Sequence, residues 1–283
     1  MPTATRDEEG RGTMSATSKA TSKTTSKATN QTAREAAGRA QAEGRARCLT
    51  QLLADARSGQ EVKVLCLDTE TTGVTDDDRV TQFSAAMLML SGPRDVERFL
   101  HADIEAVTSE RYDAFCNPRR RMSPGAERVT GITNAQLRSY PTFAQGIRGD
   151  AQRLVDEADI IVGHNVGFDI KKLRHEGVRV DGKLAVDTMF DFRDMCKYRW
   201  GIDRPEKNLT AAVGMFGYSF DAHNSANDVD ATLYLLARLA AADEVCSRPV
   251  DEIVKMHNTH SRRVAAYLRR FQKGDAQGQA RAA

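Results

Sequence analysis

The sequence predicts a mixed α/β domain, and three observations carry that prediction. Strand-like apolar runs come early, at 62–68 and 80–90. Apolar residues at helical three/four spacing then interleave with shorter apolar runs as far as residue 242. The longest apolar stretch, Phe83 to Leu90 with Ser84 inside it, is about eight residues long, against the roughly 20 needed to span a bilayer.

The elements follow in order. Residues 1–32 form a basic tail in which 16–31 repeats as ATSK, ATSK, TTSK, ATNQ. Almost no apolar side chain is available there to offset the entropy of ordering, so disorder is expected. Residues 33–59 read as an Ala-rich helix and linker, with Cys48, Leu49, Leu52, Leu53 and Ala56 on one stripe and Ser58-Gly59 as the stop. The domain proper is expected over 60–245. Its strands are expected at 62–68, 80–90, 112–116, 159–164 and 183–187, and its helices at 124–130, 143–157, 167–176, 188–199, 208–216 and 225–242. The stretch 91–111 has no assignable period. In 246–283 a helix over 250–272 enters through Pro249, and the basic tail beyond Gly274 is expected to fray. Its apolar positions (Val250, Ile253, Val254, Val264, Tyr267, Leu268, Phe271) suit packing on the domain or on a partner.

The 283 residues are 40% apolar and 28% charged, an ordinary balance for a water-soluble chain. With no apolar run near residue 1 a secretory signal is not expected, and the five cysteines form no CxxC pair. A reduced intracellular, cytoplasmic protein is therefore expected, without a disulfide frame or zinc site. The net charge of +2 hides an asymmetry: 1–47 carries 9 Lys/Arg and 5 Asp/Glu, 48–246 carries 24 and 31, and 247–283 carries 8 and 3. Solvated tails on an ordinary surface would explain it. So would an acidic centre that gathers cations between ends that attract a polyanion.

The acids sharpen the second reading. In VKVLCLDTETTG (62–73), Asp68 and Glu70 are two apart at a strand end, so their carboxylates share a face. DIIVGHNVGFD (159–169) runs a strand into a turn, with Asn165 as expected cap and Asp169 in the first helical turn. In AHNSANDVD (222–230), Asn224 or Ser225 can cap a helix with Asp228 in its first turn and His223 on the preceding loop. Asp230 is rotated away and reads as solvent-facing. Taken singly, each acid has an ordinary structural explanation: a strand-end acid, or a carboxylate at a helix dipole. Together, four carboxylates in one place demand compensating cations, and hard oxygen ligands suit Mg²⁺ or Mn²⁺. Two such ions can stabilise both oxygens of a phosphodiester displacement.

These residues resemble the DEDDh branch of the DnaQ-like exonucleases, the group that includes the proofreading subunit of bacterial replicative DNA polymerase. DTETTG, HNVGFD and HNSAND are similar to its three motifs in order, and the likeness covers about 62–242. The resemblance implies a ribonuclease H-like mixed sheet flanked by helices, two metal ions, and hydrolysis from a single-stranded 3′ end, DNA favoured over RNA. It further implies that Asp68 bridges both metals, that Glu70 and Asp228 complete the metal bearing the nucleophilic water, and that Asp169 holds the second. His223 would be the general base, and Thr71 and Thr72 would contact the terminal nucleotide. A polymerase or another replication or repair protein becomes a candidate partner. Many relatives have Glu and then His where this chain has Gly125 and Thr130, so its grip on the 3′ end should differ. Trimming of RNA ends, or a non-catalytic nucleic-acid-binding module, are the alternatives. His257 and His260 read as a polar helix face, Trp200 as packing, and Arg119–Arg121 as either a solvated loop or a phosphate contact.

Overall fold

Along Val62–Thr71 (β1) side chains alternate in direction, as period 2 requires. Val62, Val64 and Cys66 enter the core on one face and Leu65 and Leu67 on the other. β1 pairs antiparallel with Val80–Leu90 (β2), and β2 antiparallel with Thr108–Phe115 (β3). On its other side β1 is parallel to Ile160–Gly163 (β4), and β4 to Leu184–Asp187 (β5). Ser247–Pro249 (β6) pairs antiparallel with β5, giving the order β3-β2-β1-β4-β5-β6. β1, β3, β4 and β5 therefore run the same way, and their C-terminal ends share one edge of the sheet. The structure, a computed structural model, describes residues 48–281. The expected disordered tail (1–32), the first part (33–47) of the helix expected within 33–59 and the chain's last two residues lie outside the described residues.

The helices are Leu49–Arg57 (α1), Pro93–Leu100 (α2), Pro124–Thr130 (α3), Asn134–Leu137 (α4), Phe143–Gly146 (α5), Arg148–Glu157 (α6), Gly167–His175 (α7), Thr188–Arg199 (α8), Leu209–Gly214 (α9), Ser225–Ala241 (α10) and Val250–Arg281 (α11). α5, α6, α7 and the start of α11 cover one face through Phe143, Leu154, Ile170, Leu173 and Ile253. α1, α2 and α10 cover the other through Leu49, Leu52, Phe99, Val229, Leu233 and Leu236. Each such side chain, fully buried, contributes about 1.5–3 kcal/mol. α8 and α9 pack on the outer side of α10, against Ala231, Leu235 and Leu239. α10 is thus apolar on two sides because it is a middle layer. Among the described residues no helix is long and apolar enough to cross a membrane.

The differences from the sequence reading are local. The unassigned stretch 91–111 holds α2, opened by Pro93, and a 3₁₀ turn at Glu105–Val107. The helix expected over 143–157 breaks at Ile147, a buried residue with φ −124° that faces the core instead of continuing α5. Asn165 does not cap α7. It adopts φ 66°, Val166 is the residue before the helix, and the Asn165 side chain turns to α11. α11 continues past Gly274 to Arg281, through Ala, Gln and Arg residues that favour helix. His257 is 7% exposed and belongs to the contact with α7, not to a polar face. Asp230 is partly covered rather than free, because it pairs with Arg111 of β3 at 2.6 Å.

Candidate active site

The strand period that buries Val62, Val64 and Cys66 beneath α10 turns Asp68 and Glu70 to that same face. Beyond Cys66 the parallel neighbour β4 ends, so the two carboxylates emerge at the sheet edge instead of in the core. A register shift between Glu70 and Thr71 bends β1 away from β2 there. The start of α10 is tied down over this spot. Ser225, its first residue, is fully buried with its Oγ 2.5 Å from Ser84 Oγ on β2. Asn224 caps the helix by accepting from Ala226 N–H at 3.1 Å. Asp228 consequently faces β1, and oxygen atoms of Asp68, Glu70 and Asp228 all lie within 4.8 Å of one another.

Asp169 approaches β1 from α7. It is 3% exposed, and its Oδ1 accepts from Thr69 N–H (3.0 Å) and Thr69 Oγ1 (2.7 Å). Two glycines leave room around α7, Gly163 on the side of β1 and Gly167 on the side of α11. A Cβ on Gly163 would sit 3.0 Å from the Leu67 carbonyl oxygen, and one on Gly167 would sit 2.5 Å from His257 Cβ. All four sequence-predicted acids thus converge at the end of β1, three in direct reach of one another and Asp169 bound to the backbone between Asp68 and Glu70.

The electrostatics are those of carboxylates without a counter-charge. Burial, then the charges of Asp169, Asp228 and Glu70, holds Asp68 well above the usual carboxylate range. Burial with Asp228 and Asp169 pushes Glu70 to about 8, and burial raises Asp169 to about 7. Burial lifts Asp228 to about 6, against the nearby His223 and its backbone N–H. Among the described residues no Lys or Arg forms an ion pair with any of the four. Clustered, partly buried oxygen donors with that deficit fit a divalent cation: a cation would relieve the repulsion that now favours protonation.

His223 stands at the rim. Its φ is 69°, its side chain is exposed, and its N–H donates to Asp228 Oδ2 at 3.0 Å. An open cleft of about 460 Å³ is lined by Asp68, Glu70, His164, Asn165, Lys207, His223 and Asp228, among others. Thr71 and Thr72 lie just past the acids, but their hydroxyls are engaged elsewhere: Thr71 Oγ1 with Gly73 O (2.6 Å) and Thr72 Oγ1 with Asp78 Oδ1 (2.8 Å).

The sequence reading missed the residues that hold the second motif. Asp187, fully buried at the end of β5, accepts from Asn165 N–H at 2.9 Å and Met189 N–H at 3.1 Å. Its other oxygen has no partner, and burial raises it to about 7. His164 bridges Thr188 Oγ1 (3.0 Å) and the Lys207 carbonyl (2.8 Å), and burial holds it neutral, at about 4. An acid ending a buried strand was the available signal for Asp187.

Known proteins share this arrangement of chain and fold. Residues 65–236 match the exonuclease family RNase_T. The chain is 23% identical over 177 residues to the DNA polymerase III subunit epsilon of Buchnera aphidicola, covering 62% of this chain and 70% of that protein. The Rickettsia felis subunit epsilon is 27% identical over 173 residues, covering 54% of this chain and 68% of that one. A DNA polymerase III subunit epsilon-like protein of Rhodobacter capsulatus is 28% identical over 163 residues, but the chain spans only 21% of its length. In fold, the chain superposes on E. coli exonuclease I, solved with single-stranded DNA and zinc, at a TM-score of 0.53 and 23% identity, over 65% of this chain and 41% of that one. A second exonuclease I structure gives 0.52 at 21% identity, over 70% and 44%. The mixed six-stranded sheet is accordingly the expected ribonuclease H-like fold. The matched segment is most of the chain's sheet and all of its acidic site, and the chain belongs to the RNase_T exonuclease family as a DEDD-type exonuclease.

Proposed function

We propose that this protein is a divalent-metal-dependent 3′-to-5′ exonuclease that releases nucleoside monophosphates from single-stranded DNA ends in replication proofreading or repair. The observation that carries the reading is the unpaired triad of Asp68, Glu70 and Asp228 within 4.8 Å, with Asp169 on the adjoining backbone. Two Mg²⁺ or Mn²⁺ ions would be held by these four residues, Asp68 shared between them, and would supply neutralisation of phosphate charge and a more acidic water. Glu70 and Asp228 would complete the set that holds one ion, and Asp169 would belong to the set that holds the other. His223 takes the proton from the attacking water. Its ring is exposed at the rim, open to water and substrate, and an imidazole nitrogen can accept a proton. Asp228 accepts the backbone N–H of His223, which ties the loop that carries the base to one of the four acids. Backbone near Thr71 and Thr72, past the bulge, receives the terminal nucleotide. The curated relatives are named as subunits of DNA polymerase III, which supports DNA as substrate and a polymerase as partner.

The test uses DNA and RNA oligonucleotides labelled at the 5′ end, with Mg²⁺ or Mn²⁺ and with EDTA. The expected result is a metal-dependent ladder shortening from the 3′ end, faster on single-stranded DNA, and stopped by a blocked 3′ end. Equal cleavage of blocked and free ends would exclude an exonuclease acting from that end. Faster loss of RNA would move the substrate to RNA, and binding without any cleavage would leave a non-catalytic module.

A further inference from the structure

The four acids create a problem for a nucleic-acid strand: outside the metal positions, the cleft repels the phosphates that must approach it. Cations are needed nearby on the same edge of the sheet. Lys207 in the cleft wall supplies one. A whole group of them follows β3. That loop carries Arg119, Arg120 and Arg121, and because β3 runs with β1 it leaves the sheet at the edge where Asp68 and Glu70 emerge. The loop touches the catalytic strand directly: Ser123 N–H donates to the Thr72 carbonyl at 2.8 Å. Thr72 is two residues beyond Glu70, about 7 Å of extended chain.

Arg119, Arg120, Arg121 and, from the end of α4, Arg138 line a hollow of about 210 Å³ with Asn117, Pro118, Asn134 and Leu137. No carboxylate lines it. Arg120 is engaged by Asp78 at 3.3 Å, while Arg119, Arg121 and Arg138 are exposed and have no ion-pair partner among the described residues. A larger hollow of about 490 Å³, which shares Asn117, Pro118, Arg119 and Arg120 with this one, also takes in Asp77 and Glu176, and their carboxylates make it less suited to an anion. A solvated charge run would be expected to sit on a mobile loop. This one is held along its length: Asn117 N–H bonds the Pro141 carbonyl (2.8 Å), Arg119 N–H bonds Asn117 Oδ1 (2.9 Å) and Met122 N–H bonds Asn134 Oδ1 (3.0 Å). These bonds hold the backbone of the loop, so its arginines project from a defined position, and a guanidinium offers a planar fork of donors that matches phosphate oxygens.

We infer that Arg119, Arg121 and Arg138 form a backbone-phosphate site that receives the substrate strand a few nucleotides upstream of its 3′ end. The inference rests on the proposed exonuclease reading and adds where the strand runs. Such a site makes the protein prefer chains of nucleotides over single ones, without reading their bases.

The experiment compares the full-length protein with its Arg119→Ala/Arg121→Ala and Arg138→Ala variants on two probes. One is a single-stranded DNA oligonucleotide of about a dozen nucleotides, long enough to meet several phosphate-binding groups at once. The other is the p-nitrophenyl ester of thymidine 5′-monophosphate, which reaches only the acidic centre. The ratio of kcat/KM for oligonucleotide over ester should fall about tenfold in the double variant. The log–log salt dependence of oligonucleotide binding should flatten by about 0.7 in slope for each phosphate that is no longer neutralised. An unaltered ratio and slope, or equal loss on both probes, would overturn the assignment. If the unsubstituted protein cleaves neither probe, the exonuclease reading fails by itself. The site is then decided by anisotropy of the labelled oligonucleotide in EDTA, where unchanged affinity in the double variant refutes it and a fivefold or greater loss sustains it.

Discussion

His257 of α11 lies 2.9 Å, through its Nδ1, from Oδ1 of Asn165 in the second motif, joining a helix outside the family match to the wall of the cleft. Burial lowers His257 to about 4, so the ring is neutral at neutral pH. Nδ1 then donates to Asn165 and Nε2 accepts from Ser261 Oγ at 3.3 Å. With Asp187 holding the Asn165 N–H, the residue is fixed in its left-handed conformation from two sides. His257→Ala should cost about 1–2 kcal/mol by stranding the amide, and should lower the hydrolysis rate several-fold by loosening the turn before Asp169. His257→Gln, which can still donate, should recover much of both. Urea unfolding and initial rates measure the two effects, and a fully active Ala variant would count against this coupling.

Asp68→Asn should trade activity for stability. Replacing the central carboxylate removes repulsion with Asp169, Asp228 and Glu70 while keeping the shape. Hydrolysis should drop about a thousandfold or more, and the metal-free protein should melt a few degrees higher, since 1 kcal/mol is worth about 2–4 °C in a domain of this size. Calorimetry in EDTA reads the second effect. A lower melting point would mean that the acids are compensated by something other than metal.

The same cluster sets a pH dependence. Glu70 rises from 4.5 to about 8, and Asp169 and Asp187 rise from 3.8 to about 7. The folded metal-free protein therefore binds protons that the unfolded chain has released, so this contribution is complete below about pH 4 and is lost as pH rises to about 8. Urea midpoints in EDTA should fall from about pH 5 to about pH 8, and added Mg²⁺ or Mn²⁺ should flatten the slope. A metal-free midpoint that rises over this window would contradict the unpaired state of the acids.

Away from the site, Arg79 Nε and its terminal nitrogen each lie 2.7 Å from the Glu176 carboxylate, whose side chain is 5% exposed. Arg79→Ala would leave that charge buried and unpaired, costing about 3 kcal/mol, the low end for such a pair because Arg79 itself is partly exposed. Arg79→Ala/Glu176→Gln should regain most of the loss. A double variant as unstable as the single one would show that packing, not charge, is what Arg79 supplies.

Much of this was legible in the sequence, for physical reasons that also explain the rest. Period 2 in β1 predicts that Asp68 and Glu70 share a face, and first-turn positions predict the direction of Asp169 and Asp228. What stays hidden is set by partners distant in sequence. β6 has three residues and exists only because β5 offers an edge. α2 buries only Val96 and Phe99, too few to show a period. Asn165 looks like a helix cap because its other role needs His257, 92 residues away. Thr71 and Thr72 read as substrate contacts, yet the Thr72 hydroxyl belongs to a turn closed by Asp78.

The way the sheet ends on either side bears on how the protein behaves when crowded. β6 is short and finishes at Pro249, which has no N–H to offer an incoming strand. At the far side β3 is guarded by charge, with Arg153 on Glu110 at 2.5 Å and Arg111 between Glu105 and Asp230. Neither flank is a bare template for strand addition, so the folded domain should withstand concentration without pairing edge to edge.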